Sequence, residues 1–302
     1  MADPAALSII IPHLNQPDFL GKCLASLASQ MPENHRIEII VCDNGSAALP
    51  TSIVAGWDNV RLIEERTPGP GPARNAGIAQ SSAPLLAFID ADCVAAPGWI
   101  DAILTTFADP EAQVFGGDVR VRYKSPGRPT FLEPYEAVFA YRNEEYIASG
   151  YSGTGNLAMR REVFDIVGGF AGIGVAEDHD WGLRAKAEGI VTRYVPEMII
   201  YHPARTSFSE LTRKWDRHIA HDFAIRKGPA GKAGFAAKML ALLVSPIAEI
   251  PRIARSERIG GFWDRMLAFA CLCRIRAYRA GRMAALLLGF GRKGADDWNR
   301  QT

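Results

Sequence analysis

Four short apolar runs, each with a helical stretch after it, narrow the folds open to this chain. They are Leu7-Ser8-Ile9-Ile10-Ile11, Ile37 to Val41, Val60 to Glu64 and Leu85 to Ile89. After the first, Phe19 to Gln30 carries Leu20, Cys23, Leu24 and Leu27 at the spacing of one helix face. After the third, the Gly/Pro-rich stretch Thr67 to Pro72 leads into a helix from about Ala73. Strands that alternate with helices make βαβ units, so the expected class is α/β, with a mainly parallel central sheet flanked by helices. Further along, helices are expected over Pro97 to Phe107, Arg161 to Val167 and Trp181 to Glu188. Strands are expected at Val114 to Tyr123, Gly155 to Met159 and Thr192 to Val195, with another ending at His202. Pro126 to Ser152 is less regular, and its aromatics Phe131, Tyr135, Phe139, Tyr141, Tyr146 and Tyr151 are candidates for a pocket lining.

With 302 residues, 48% of them hydrophobic, the chain has material for one large domain and an appendage. A net charge of +1 gives no reason to expect a nucleic-acid partner. The charge is uneven, however: Pro251 to Lys293 holds ten basic and two acidic side chains, leaving the remainder at −7. A basic tail on an acidic body points to an anionic surface. Cys23, Cys42, Cys93, Cys271 and Cys273 lack metal-site spacing and read as reduced, mostly buried residues. Met1 to Leu7 has no basic region leading into an apolar core, so no secretory signal is expected there.

The strand ends carry the chemistry. Phe88-Ile89-Asp90-Ala91-Asp92 closes a buried strand with two carboxylates one residue apart. Like charges that close repel, and a divalent cation or its polyphosphate complex is the usual reason to pair them. The carboxyl end of a strand is also where open α/β sheets bind ligands. A plain turn would use the same residues, because Asp favours turns. Asp43 follows the second strand and could accept from a base or a ribose hydroxyl. Arg74 and Asn75 follow the Gly/Pro loop, where an arginine reaches phosphate or a base carbonyl. That loop is no dinucleotide fingerprint, since Arg74 stands where GxGxxG needs its third glycine.

Taken together, SIIIPHLNQPDFLGKCLASL, IEIIVCDNGS, GPGPARNAGIAQSSAPLLAFIDADC, GTGNLAMRREVFDIVGGF and AEDHDWGLRAKAEG resemble family 2 glycosyltransferases, in family order, over about residues 7 to 205. These are inverting, nucleotide-sugar-dependent enzymes of the GT-A fold. The resemblance implies that Pro12, Asp43 and Arg74 hold the nucleotide base and that Asp90 approaches the ribose or the metal. It implies that Asp92, in the DXD motif, ligates Mg²⁺ or Mn²⁺ on the donor diphosphate, and that the donor is a UDP-sugar. By the same resemblance Asp178 is the general base and Glu177 an acceptor-side carboxylate. Asp180 has the plainer reading of stabilising a helix N-terminus. His202 is a further candidate for metal and Arg205 for the leaving diphosphate, while His13, Asn15 and His179 read as cleft wall.

The expected domains are 1–205, the GT-A domain; 206–234, an amphipathic connecting helix; and 235–302, a basic and apolar helical extension. Arg213-Lys214-Trp215 stands where processive members carry QxxRW, which argues for adding a single sugar. Phe235 to Ile250 and Phe262 to Phe290 are each too interrupted for the roughly 20 apolar residues of a spanning helix. On a helical wheel Arg265, Arg276 and Arg279 share a narrow sector, as in an interfacial helix. The expectation is therefore a peripheral enzyme at the cytoplasmic face of the inner or plasma membrane, using a lipid-linked glycan acceptor in cell-surface polysaccharide biosynthesis. The competing readings are a soluble or protein acceptor, or a non-catalytic nucleotide-sugar-binding membrane scaffold.

Overall fold

The structure, a computed structural model, describes residues 5–33, 36–125 and 127–290. Pro126, Arg292 and Lys293, and the first four residues of the N-terminus, lie outside the described residues. In chain order the elements are β1 (Leu7–His13), α1 (Pro17–Ala28), β2 (Ile37–Asp43), α2 (Thr51–Val54), β3 (Val60–Glu64), α3 (Pro70–Gln80), β4 (Leu85–Ile89), β5 (Val94–Ala95) and α4 (Trp99–Phe107). There follow β6 (Val114–Arg122), α5 (Glu133–Phe139), α6 (Asn143–Ala148), β7 (Asn156–Arg160), α7 (Arg161–Val167), α8 (Glu177–Ala187) and β8 (Thr192–Pro203). The last four are α9 (Phe208–Ile225), α10 (Gly228–Ala248), α11 (Ile250–Arg255) and α12 (Gly261–Leu287).

The strands form one sheet in the order β3-β2-β1-β4-β7-β6-β8-β5. The β3-β2-β1-β4 part is parallel. Beyond β4, β7 pairs with β4, β6 with β7 and β5 with β8, each antiparallel. Because β2 lies on one side of β1 and β4 on the other, the chain changes direction across the sheet between β1 and β4. That switch point leaves a crevice at the strands' carboxyl ends. Leu7, Ile9, Ile10 and Ile11 of β1 are wholly buried, and each such side chain contributes about 1.5–3 kcal/mol by leaving water. On α1, Leu20, Cys23, Leu24 and Leu27 form the buried face, and Pro17 fits the first turn because its missing N–H has no helical partner there.

Two compact units emerge. One takes residues up to Arg120 and Arg142–His202; the other takes Val121–Tyr141 and the residues from Pro203 on. The first unit's core gathers Ile10, Ile40, Phe88, Leu157, Met159 and Trp181 around the sheet. In the second, Leu132 and, on α5, Tyr135 and Val138 pack with Leu211, Ile253, Cys271 and Ile275. Phe131, Tyr135 and Phe139, expected in a pocket lining, are therefore part of that helical core.

Other expectations are corrected in the same region. Residues 192–203 form a single twelve-residue strand instead of two. The connecting helix ends at Ile225, and the 234/235 boundary falls inside α10. Gly228–Arg255 is long and apolar enough, by length and composition, to cross a membrane. The tail reaches that length because the helix already starts at Gly228, with Lys232 and Lys238 its only charges before Glu249. The arginine sector of α12 is turned to internal partners. Arg279 is buried with its guanidinium 3.5 Å from the Trp215 ring centroid, Arg276 reaches Glu249, and Arg265 donates to backbone carbonyls of Ala254 and Gly261. A helical wheel shows angular clustering, and it carries no information on which neighbour will occupy the sector.

Two glycine substitutions separate local helix preference from packing. A Cβ at Gly71, in the first turn of α3, would lie 2.0 Å from the Ala171 carbonyl oxygen, whereas exposed Gly281 of α12 has nothing within 4 Å. Helix propensity favours alanine at both sites by about 0.5–1 kcal/mol. Gly281→Ala is expected to stabilise by about that amount, and Gly71→Ala to destabilise by about 1–3 kcal/mol through overpacking. Urea denaturation of the two variants checks both signs.

Candidate active site

The loops after β1, β2 and β3 are tied together before any ligand arrives. His13 and Asp43 end neighbouring parallel strands in register, and His13 Nδ1 lies 2.9 Å from Asp43 Oδ2, both side chains 1% exposed. Asp43 Oδ1 also accepts from the backbone N–H groups of Gly45 and Ser46 at 3.1 and 2.9 Å. Burial would raise the Asp43 carboxyl, but the hydrogen bonds from Ser46 and His13 outweigh it and hold the group below its ordinary 3.8. Asp43 thus shapes the 44–46 turn. Asn15, with φ 53°, accepts from Ala47 N–H through Oδ1 at 2.9 Å. Asn44 donates to the carbonyls of Glu65 and Thr67 and accepts from Gly69 N–H at 2.7 Å. Pro12, one residue before His13, is half-buried on the same strand.

Arg74 is the centre of the site. Its side chain is 3% exposed on α3, with Nη2 2.6 Å from Asp90 Oδ1 and Nη1 3.1 Å from Glu177 Oε1. Burial disfavours the charged guanidinium, but Asp90 and Glu177 more than compensate and raise its pKa. Nε is buried with no partner. The guanidinium is therefore engaged mainly with carboxylates, and it joins the end of β4 to the first turn of α8. Gly155 makes the space: a Cβ there would lie 2.4 Å from Asp90 Oδ2.

Asp92 points to a different partner. Its Oδ2 is 3.3 Å from His202 Nε2 at the end of β8, and Cys93 Sγ lies 3.6 Å from Oδ1. Burial, opposed by His202 and reinforced by Asp90, lifts the Asp92 carboxyl above its ordinary value. Ligand atoms of Asp92, Cys93 and His202 all lie within 4.8 Å of one another, the one such group among the described residues. A carboxylate with an imidazole beside it, and a second carboxylate, Asp90, near enough to be felt, fits a divalent cation. Placing a cation there would also relieve the repulsion between Asp90 and Asp92.

On α8, Asp178 is half-buried; its Oδ1 accepts from His179 N–H, and no ion pair joins it among the described residues. Asp180 instead pairs with Arg184 one turn along, as a helix-stabilising residue does. His179 is exposed, with its ring 4.8 Å from that of Tyr151. Arg205 belongs to the second unit, where its guanidinium and backbone N–H both bond the buried Glu136. The structure thus gathers His13, Asp43, Arg74, Asp90, Asp92, Glu177, Asp178 and His202 in the first unit. Asn75, singled out with Arg74 after the Gly/Pro loop, donates to the Phe170 carbonyl and accepts from its N–H, whereas Asn44 is a positioning residue the sequence reading did not single out. Only its place beside Gly45 hinted at it.

Residues 8–175 match the family described as Glycosyl transferase family 2. Glycosyltransferase AglE of Haloferax volcanii is 33% identical over 215 residues, which cover 69% of this chain and 70% of that protein. The pre-mycofactocin glycosyltransferase of Mycobacterium tuberculosis is 27% identical over 218 residues, covering 68% of this chain and 44% of that one. Among solved structures, the mannosyltransferase PcManGT from Pyrobaculum calidifontis, in complex with GDP-Man and Mn²⁺, is similar with a TM-score of 0.57 at 18% identity, over 95% of this chain and 88% of that one. S. aureus TarS 1-349 in complex with UDP-GlcNAc is similar at 0.52 and 16%, over 94% and 92%. These two likenesses show the fold, the GT-A arrangement.

The Asp43 network has a consequence in acid. A carboxylate whose folded pKa is depressed adds stability above its unfolded pKa of about 3.9, and loses it as pH falls through the lower folded value. Asp43→Asn is therefore expected to be less stable than the parent by about 1–3 kcal/mol at neutral pH, with the gap closing below about pH 4. Urea denaturation of both proteins across that range measures it.

Proposed function

The chain belongs to glycosyltransferase family 2, and on that footing we propose that it moves one sugar from a nucleotide-diphosphate donor to an acceptor hydroxyl with inversion. The observation that carries the mechanism is the Arg74 bridge, which sets the Asp90 and Asp92 block and the Glu177 and Asp178 block around one guanidinium. In this reading Asp178 accepts the proton of the acceptor hydroxyl while that oxygen attacks the anomeric carbon. The bond from that carbon to the diphosphate oxygen breaks on the opposite face, and one displacement inverts the centre. A positioned base of this kind contributes about 10²–10⁴ in rate. Glu177, held by Arg74, fixes the start of α8 and so the place of Asp178 beside it. Asp92 and His202, with Asp90 near, would hold Mg²⁺ or Mn²⁺. When bound, the ion offsets the negative charge that grows on the departing diphosphate. Asp43 and Pro12 lie at the ends of strands beside the switch point, where a base and ribose would rest. The family neighbours solved with GDP-Man and UDP-GlcNAc make guanine and uracil donors the two to compare first.

The acceptor is proposed to be a lipid-linked glycan, used at a membrane surface on the cytoplasmic side. What supports a membrane is the outer face of α10, where Leu240, Leu243, Val244 and Ile247 are 54–69% exposed. Phe262 and Trp263, at the start of α12, are 67% and 76% exposed. The inner face of α10, with Phe235 and Leu242, packs on Met283 and Leu286 of α12. A helix apolar on both sides, with one side already covered by protein, suits lying in the interface with exposed arginines such as Arg255 at headgroup level.

Asp178→Asn is expected to retain nucleotide-sugar binding and lose transfer by about 10²-fold or more, while Asp92→Ala weakens donor binding chiefly when Mn²⁺ is present. Donor binding is read from the melting-temperature shift over a panel of UDP- and GDP-sugars with Mn²⁺. Normal turnover by Asp178→Asn would remove the base assignment. In the same preparations, Leu243→Ser with Ile247→Ser is expected to reduce co-flotation with lipid vesicles, and unchanged flotation would count against the α10 face.

A further inference from the structure

The second unit contains a concentration of cations that the proposed transfer does not use. On α9 the cations Arg213, Lys214 and Arg217 fall, with His218 and His221, within an arc of about 140° at 100° per residue, and burial with the charges of Lys214 and Arg217 pushes His218 down to about 4, leaving it neutral at pH 7. Ile219, on the other side, and Leu211, at the edge of the sector beside His218, are buried. The acidic residues of α9 are occupied elsewhere. Asp216 accepts from Tyr278 and Arg282, Asp222 pairs with Arg226 and Lys238, and Glu210 accepts from Thr206. Arg205, just before the helix, takes both oxygens of the buried Glu136. Among the described residues neither Lys214 nor Arg217 has an ion pair.

These cations sense one another. Burial, then the neighbouring charge of Arg205, pushes Lys214 down to about 8, with Arg217 adding to the effect and Glu136 opposing it. Arg217 is lowered by burial, by Arg205 and by Arg213. Half-buried like charges at this density, with one carboxylate already engaged, are a cost in the free protein. A multivalent anion removes that cost, and phosphate oxygens suit it best: the arginine forks bond two oxygens at once and the ammonium supplies a compact charge. A scattering of solvated surface lysines would show neither the partial burial nor the mutual depression of basicity.

We infer that the basic sector of α9, centred on Lys214 and Arg217, is a binding site for a phosphate or diphosphate group, the one carried by the acceptor. The second half of that statement rests on the proposed lipid-linked acceptor; the anion site itself does not.

The test uses the full chain in EDTA, titrated calorimetrically with inorganic pyrophosphate. Lys214→Gln with Arg217→Gln is expected to weaken binding by at least about tenfold, while the charge-keeping Lys214→Arg with Arg217→Lys and the donor-side variant Asp92→Ala bind like the parent. Loss of binding in Asp92→Ala with none in the Gln pair would overturn the site. The source of the phosphate is read by flotation on phosphatidylcholine vesicles carrying either farnesyl diphosphate or phosphatidylglycerol. Selective loss of binding to the farnesyl diphosphate vesicles in the Gln pair supports the acceptor assignment. Equal loss on both vesicle types would overturn it, because the sector would then be reading bulk lipid charge. Transfer by Asp178→Asn is a separate readout, so a failed base assignment leaves this result intact.

Discussion

A single buried guanidinium holds the active site in one piece. Arg74 contacts a carboxylate 16 residues ahead of it and another 103 residues ahead, and through them it joins the end of β4 to the start of α8. Removing one member of such a set leaves an uncompensated buried charge, a loss of about 3–5 kcal/mol. The geometry near it follows from the same constraint. Gly155 has no side chain because Asp90 needs the room, and α3 begins close against residue 171 because Gly71 permits it. The carboxylates that remain, Asp92 and Asp178, are those Arg74 does not reach, and they are the two to which chemistry is assigned.

The charges divide labour between the two units. In the first, acidic side chains outnumber their local cations at the sheet's switch point, so a metal ion would be welcome there. In the second, the excess has the opposite sign and lies along one side of α9. Arg205 belongs to this second set, bound to Glu136. The donor's diphosphate and an acceptor's phosphate need attractions of different kinds. In the proposed function a metal would grip the first through hard oxygen ligands, and arginine and lysine would grip the second directly.

Much of the catalytic unit was legible because its signals are local. Buried strands read as apolar runs, and Asp43, Asp90 and Asp92 stand at or just past their ends, so topology alone brings them to one edge of the sheet. Asp178 was reached through resemblance. The pairing of Arg74 with Glu177 was not legible, since nothing in a window of twenty residues records a partner 103 positions away. The same blindness hid the capture of residues 121–141 by the C-terminal helices, where Tyr135 packs among residues of α9 and α12. It also misdirected the arginines of α12: a wheel shows Arg276 and Arg279 side by side, but Glu249 and the Trp215 ring, which occupy them, come from other helices.

In the proposed function Arg74 organises the ion-binding and donor-binding carboxylates together. The most direct test is electron paramagnetic resonance of Mn²⁺ titrated with nucleoside diphosphate into Arg74→Lys, with circular dichroism confirming a folded chain. A lysine offers one nitrogen where the guanidinium uses two, so it loses the fork that holds Asp90 and Glu177 together, and joint binding of ion and nucleotide is predicted to weaken by about tenfold or more. Binding as tight as in the parent protein would contradict the account.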